Sequence, residues 1–159
     1  MLETPADEER IVAERMQVAS GSPYEETVGF SRAVRVGAHV YVAGTAPVRP
    51  DGEVDPDPAT QARRCWEIAL DALDRLGGDV RHVVRTRQFL TPAADADAVA
   101  AVHGEVFGAV RPASTMLVVA ALLDPRWVVE VELDAVIDPG AAGDTLPSGH
   151  VRTTDQEPG

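Results

Sequence analysis

Residues 59–76 read ATQARRCWEIALDALDRL. Apolar side chains at Ala62, Cys65, Trp66, Ala69, Leu70, Leu73 and Leu76 follow the i, i+3, i+4, i+7 spacing that collects on one face of an α-helix. Arg63, Arg64, Glu67, Asp71 and Asp74 fall on the other face, and Gly77-Gly78 supplies a C-terminal stop. Trp66 and Cys65 both lie within the apolar stripe, which assigns them to packing rather than to ligand or thiol chemistry. A helix with one apolar stripe has to be laid on another layer, and the flanking segments offer a sheet.

Upstream, Ser31–Val36 and His39–Ala43 are short β-prone runs around Gly37-Ala38, which predicts a hairpin. Val48–Pro58 contains three prolines and Asp51-Gly52 and is expected to be a loop. Downstream, Val80–Leu90 (VRHVVRTRQFL) is rich in β-branched residues and reads as one strand, ended by Thr91-Pro92. Residues 93–107 place Val99, Val102, Val106 and Phe107 at helical spacing, and Pro112 stops that region. Ser114–Leu122 and Trp127–Ile137 read as two more strands around the turn at 123–126. The order is β-β-α-β-α-β-β, with a short additional strand near residues 16–19. This predicts an α+β domain over residues 17–138, one sheet with two helices on one face. Residues 1–16 are expected to be a flexible arm. Residues 139–159, rich in Gly, Pro, Thr and Asp, are expected to be a disordered tail.

The last strand is two-faced. Val129, Val131, Leu133 and Ala135 alternate with Glu130, Glu132 and Asp134, so one side is fit to lie under helices and the other carries three acids. Such acids are either solvated or, if enclosed, in need of partners.

Composition narrows the function. The chain has 159 residues, 26 of them acidic, and its 14 basic residues are all arginine, for a formal charge of -12. Without lysine there is no Schiff-base lysine and no P-loop. The single cysteine excludes an intrachain disulfide or a multi-thiolate zinc site, and His39, His82 and His150 lack ligand spacing. No metal is therefore assigned. A chain so acidic is repelled by phosphate backbones and anionic lipid, which argues against nucleic-acid and membrane partners. No apolar run reaches a membrane span, and the acidic MLETPADEER start is unlike a signal peptide, so a cytoplasmic protein is expected.

Several local strings, in this order, resemble the RidA/YjgF family of reactive-intermediate imine and enamine deaminases. They are Gly29-Phe30-Ser31, Tyr41-Val42-Ala43-Gly44-Thr45, Val83-Val84-Arg85-Thr86 with Phe89, Arg111-Pro112-Ala113-Ser114-Thr115, and Val129-Glu130-Val131-Glu132. The resemblance spans about residues 18–138. It implies a chorismate-mutase-like fold, a curved sheet with two helices, assembled as a homotrimer with clefts between subunits. It also implies hydrolysis of a small imine or enamine without metal or organic cofactor.

Carried over position by position, the resemblance gives Glu130 the task of positioning the attacking water. Phe30 becomes an apolar wall, and Gly44, with Thr45, lines the cleft. In the family an arginine after Pro-Ala clamps the substrate carboxylate through a two-point hydrogen bond. Here that position is Ser114. Either Arg87 takes over as the cation, or the hydroxyls of Ser114 and Thr115 hold a neutral or larger ligand. Arg87 could equally be spent on a cross-sheet salt bridge to Glu130 or Glu132. His103, on the second helix, corresponds to a family aromatic facing the cleft; it is either a candidate acid–base group or a half-exposed helix residue. Met116 stands where some members have a cleft cysteine, so thiol chemistry is not available there. The expectation is therefore an imine or enamine deaminase, or a related water-addition or elimination enzyme, with a non-catalytic binder or sensor of a small metabolite as the alternative. A ribonuclease role ranks below both because of the charge.

Overall fold

The computed structural model describes residues 14–138. Its elements in chain order are β1 (Arg15–Val18), β2 (Ala33–Val36), β3 (His39–Thr45), α1 (Pro58–Asp74), β4 (Val83–Leu90), α2 (Ala96–Phe107), β5 (Ala113–Val118) and β6 (Val129–Val136). The strands form one six-stranded mixed sheet in the order β1-β2-β3-β6-β4-β5. Only β4 and β5 run parallel, joined through α2; the other neighbours are antiparallel. The C-terminal strand is thus central, between β3 and β4, which explains why its sequence is so cleanly alternating.

α1 starts and stops for local reasons. Asp57 caps α1, its Oδ2 accepting from the Thr60 N–H and hydroxyl at 2.8 Å each, and Pro58 occupies the first turn, where no N–H is needed. At the other end Gly77 adopts φ +86° and the Gly78 N–H bonds to the Leu73 carbonyl. Ala62, Cys65, Trp66, Ala69, Leu73 and Leu76 are buried as the period predicts; Ala72 is buried too, and Leu70 packs only at the margin. Trp66 stacks edge-on against Phe107 of α2, with ring centroids 4.8 Å apart. Beneath the helices lie Val129, Val131, Leu133 and Ala135, all essentially inaccessible. Val129, Val131 and Leu133 each contribute about 1.5–3 kcal/mol of burial, which makes β6 the floor of the core.

Gln61 is a polar anchor within this core, 1% exposed. Its amide nitrogen donates to the carbonyls of Asp55 and Arg126, and its oxygen accepts from the Val128 N–H. One side chain thereby pins the loop before α1 to the loop before β6.

The structure corrects several boundaries. Val80–His82 is a 3₁₀ turn rather than the start of a strand, because Asp79 caps it: its carboxylate accepts from the Arg81 N–H while the Asp79 N–H donates to His82 Nδ1. β5 ends at Val118 instead of 122, since as an edge strand it is paired only by β4, whose partners run out at Leu90. Residues 93–95 form a 3₁₀ turn ahead of α2. A π-helical turn at Glu25–Gly29, closed by Phe30 N–H to Glu25 O at 3.2 Å, was not anticipated. The expected short strand near 16–19 is present as β1 and takes Arg15 and Met16 from the segment expected to be an arm. Residues 1–13 of that arm and the 139–159 tail lie outside the described residues. No helix among the described residues is long and apolar enough to cross a membrane.

Candidate functional site

The face of the sheet opposite the helices carries the acids of β6 and, at its β2–β3 end, the elements that frame Glu130. A bulge between Val42 and Thr45 shifts the β3–β6 register and sets Gly44 against Glu130. A Cβ built on Gly44 would collide with Glu130 Oε1, so the carboxylate rests on the bare Cα of this glycine. Gly44 has no positive φ; the need for glycine is space, not backbone conformation. Thr45 is buried, its hydroxyl donating to the Ala43 carbonyl at 2.8 Å.

Arg32 completes this corner. Its Nη1 donates to the Gly44 carbonyl at 2.8 Å and to Thr45 Oγ1 at 3.0 Å. It belongs to no ion pair among the described residues, and its Nε is buried with no partner there. Burial holds the Arg32 pKa below the usual arginine value, with the charges of Glu25 and Glu130 opposing that shift. Glu130 responds in kind: burial raises its pKa, Arg32 lowers it in part, and Glu132 adds to the rise. Phe30, partly exposed at the end of the π-helical turn, stands two residues before Arg32.

The sequence-predicted residues are thus partly brought together. Gly44, Thr45 and Glu130 share one corner. Arg87 lies on the same open face but is held by two carboxylates, Glu132 Oε1 at 2.9 Å and Asp134 Oδ2 at 3.4 Å. The cross-sheet bridge considered for it is present with Glu132, not Glu130. Thr115 is next to Arg87 in the register, and Ser114 and Met116 are next to Thr86 and Gln88. All three sit on the edge strand β5; Met116 leans on the core, so the alternation points Thr115 to the open face. His103 is on the helix side. Its Nε2 lies 2.8 Å from Thr86 Oγ1 and its ring packs on Trp66 and Phe107, while burial lowers its pKa. The fold separates it from Glu130 within one chain. Burial raises the Cys65 thiol pKa far above the usual range, which leaves it inert. Among the described residues no group of three or more His, Cys, Asp or Glu is placed to hold a metal ion.

The sequence reading missed Arg32. The available signal was its position opposite Ala43 in the hairpin, one residue from the glycine–threonine pair it binds; an alternating strand pattern gave no reason to single it out.

Comparison with known proteins agrees with this architecture. The family profile described as Endoribonuclease L-PSP matches residues 21–137. A crystal structure of Rv2704 from Mycobacterium tuberculosis, described as a member of the YjgF/YER057c/UK114 family, superposes with a TM-score of 0.72 at 40% identity, covering 78% of this chain and all of that one. The chain belongs to the YjgF/YER057c/UK114 (RidA) family. An uncharacterized protein, SCO2049 of Streptomyces coelicolor, is 43% identical over 75% of this chain and 90% of its own length. The RutC family protein PYRAB12510 of Pyrococcus abyssi is 31% identical over 67% and 84%. The YjgF structure from E. coli superposes with a TM-score of 0.64 at 27% identity, covering 76% and 91%. Members of this family are typically imine or enamine deaminases.

Proposed function

We propose that this protein hydrolyses a small imine or enamine without a cofactor, in clefts formed where three copies of the chain meet in the cytoplasm. The observation that carries the reading is the Glu130 carboxylate, half-buried and seated on the bare Cα of Gly44. Water adds to the C=N carbon, giving a carbinolamine; ammonia then leaves and a carbonyl compound remains. Glu130, in its ionised form, takes a proton from the attacking water and returns it to the departing nitrogen. A raised pKa makes that carboxylate a better base than a free one. Family membership supports the reaction class, and the uncovered sheet face supports assembly: Tyr41, Val84 and Val36 are exposed there alongside the Arg87–Glu132–Asp134 charges. A neighbouring β5 edge would bring Ser114 and Thr115 to the cleft, with Phe30 as an apolar wall.

The name of the matched profile refers to RNA cleavage, but a charge of -12 and the lack of lysine weigh against a polyanionic substrate. A non-catalytic metabolite binder remains the second reading, favoured by Ser114 at the position where the family resemblance places an arginine. The test is release of the 2-oxo acid and ammonia from imines made freshly by an amino-acid oxidase. Wild type should accelerate it, and Glu130→Gln should lose about 10²–10⁴-fold. Equal rates for the two proteins would remove Glu130 from the mechanism. Tight metabolite binding with no acceleration would establish the binder.

A further inference from the structure

The bulge that sets Gly44 against Glu130 is not held by the strand ladder alone. Val42 pairs with Leu133 and Thr45 with Val131, so Ala43 and Gly44 stand against the single residue Glu132. A bulge of this kind leaves backbone groups outside the ladder, and they need other partners. Arg32, just before β2, supplies them. Its carbonyl accepts from the Ala43 N–H at 3.0 Å, and its Nη1 donates to the Gly44 carbonyl at 2.8 Å. The same Nη1 donates to Thr45 Oγ1 at 3.0 Å, and that hydroxyl donates onward to the Ala43 carbonyl at 2.8 Å. One residue thereby ties together all three positions of the bulge, at the end where the carboxylate sits.

The same residue supplies the cation that acts on that carboxylate. No hydrogen bond fixes Glu130 among the described residues; its seat is the bare Cα of Gly44. The charged and titratable groups that act on or face it are few. Glu132 on its own strand raises its pKa, and Arg32 lowers it. The Cys65 thiol of α1 is pushed far up by burial and, in smaller part, by Glu130 itself, so it stays neutral. On β4 the residue opposite is Phe89, and the nearby Arg87 is committed to Glu132 and Asp134. Arg32, in contrast, belongs to no ion pair among the described residues, so its charge is not cancelled by a carboxylate in contact with it.

We propose that Arg32 is a positioning residue for Glu130, locking the β3 bulge so that Gly44 presents its bare Cα to the carboxylate. Its charge has a second effect at the same place: it favours the anionic, proton-accepting form of Glu130 against the burial that opposes it. Two hydrogen bonds from one rigid guanidinium fix the geometry, which a neutral side chain of the same length cannot reproduce and a lysine reproduces in part. The consequence for turnover rests on the deaminase reading; the effect on the titration of Glu130 does not.

The test follows the Glu130 carboxyl carbon by NMR through a pH titration of the full-length protein, with Glu130→Gln to assign the signal. In Arg32→Met the midpoint should move to higher pH, and in Arg32→Lys it should return most of the way to wild type. Arg81→Gln, which alters an exposed pair with Asp79, serves as the control and should titrate like wild type. In imine turnover, Arg32→Met should lose about 10–10²-fold in kcat, as expected for a base displaced by about 1 Å, with KM changed less than about threefold. The acid limb of its pH–rate profile should move to higher pH, and Arg32→Lys should recover part of both. Thermal melts establish that each variant folds. Should Arg32→Met unfold, Arg32→Gln takes its place; should both unfold, wild type decides, because the Arg32 side-chain nitrogen signal should shift with the same midpoint as the Glu130 carboxyl. An unmoved Glu130 midpoint in the neutral variant, a lysine variant that titrates like the neutral one, or unrelated midpoints in wild type overturns the assignment. A variant that melts lower but titrates Glu130 like wild type makes Arg32 a structural clamp only, and also overturns it. The two readings fail separately: an Arg32-dependent Glu130 titration with no imine turnover removes only the catalysis, and Glu130-dependent turnover with an Arg32-independent titration removes only the positioning role.

Discussion

Replacing Gly44 by alanine separates the stability of this fold from its site. The added methyl would occupy the space of Glu130 Oε1, while the backbone at Gly44 lies in a region open to any residue. What must yield is the far end of a flexible side chain, not the backbone. A Gly→Ala change at a compatible φ stabilises by about 0.4–1 kcal/mol through the unfolded chain. Turning one carboxylate to a new rotamer costs a similar amount, about 0.5–1.5 kcal/mol. Global stability in urea should therefore change by less than about 1 kcal/mol. Activity should not be spared: displacing a base by about 1 Å from its working position can cost about 10²-fold. Urea unfolding and imine turnover, measured on Gly44→Ala, Glu130→Ala and the double variant, form a cycle. In the Glu130→Ala background the methyl meets no carboxylate, so the substitution should be neutral or slightly stabilising, and turnover should fall no further. A loss above about 3 kcal/mol for Gly44→Ala alone would mean that Glu130 cannot move. Full activity in that variant would mean that the carboxylate position does not matter. Either result refutes the reasoning.

Other consequences can be measured directly. Arg87→Met leaves Glu132 and Asp134 facing each other without their cation; as the three groups are about a quarter to a third exposed, the loss should be about 1–2 kcal/mol by urea unfolding, partly recovered by adding Glu132→Gln. No loss would mean the triad is solvated. Gln61→Leu strips two carbonyls and one N–H of their partner in the core and should cost about 2–4 kcal/mol, with the largest rise in amide exchange at Val128. His103 is held below its ordinary pKa of 6.5 by burial, so the unfolded chain binds its proton first; its contribution is complete above pH 6.5 and is lost as pH falls through the lower folded value. The melting temperature of wild type should drop over that interval more steeply than that of His103→Gln, and parallel curves would contradict the assignment.

Much of the fold was legible because it is local or periodic. The α1 stripe and its glycine stop follow from spacing alone, and the clean alternation of β6 already announced one buried and one polar face. The boundaries that moved were set by single polar groups: Asp79 turns Val80–His82 into a cap-bound 3₁₀ turn, although its β-branched neighbours favour a strand. The site was harder to read because its contacts are long-range. Gly44 and Glu130 were each singled out, but their collision geometry depends on a β3 bulge and on β6 sitting beside β3, neither visible in either segment. Arg32 and Gln61 look like ordinary surface residues of a strand and a helix. Their partners lie 12–13 and up to 67 residues away, and only the folded chain shows which backbone groups each of them binds. His103 was singled out by resemblance; its contacts with Trp66, Phe107 and the Thr86 hydroxyl in the helix layer could not be read from its own segment.

The most direct measurement is a crystal structure grown with a 2-oxo acid, the product of the proposed hydrolysis. The account predicts three chains around a common axis, the acid at each seam, and the Glu130 carboxylate turned toward its C2 atom with room for one water between them. A seam packed solid, or a ligand bound with Glu130 facing away from it, would contradict the account.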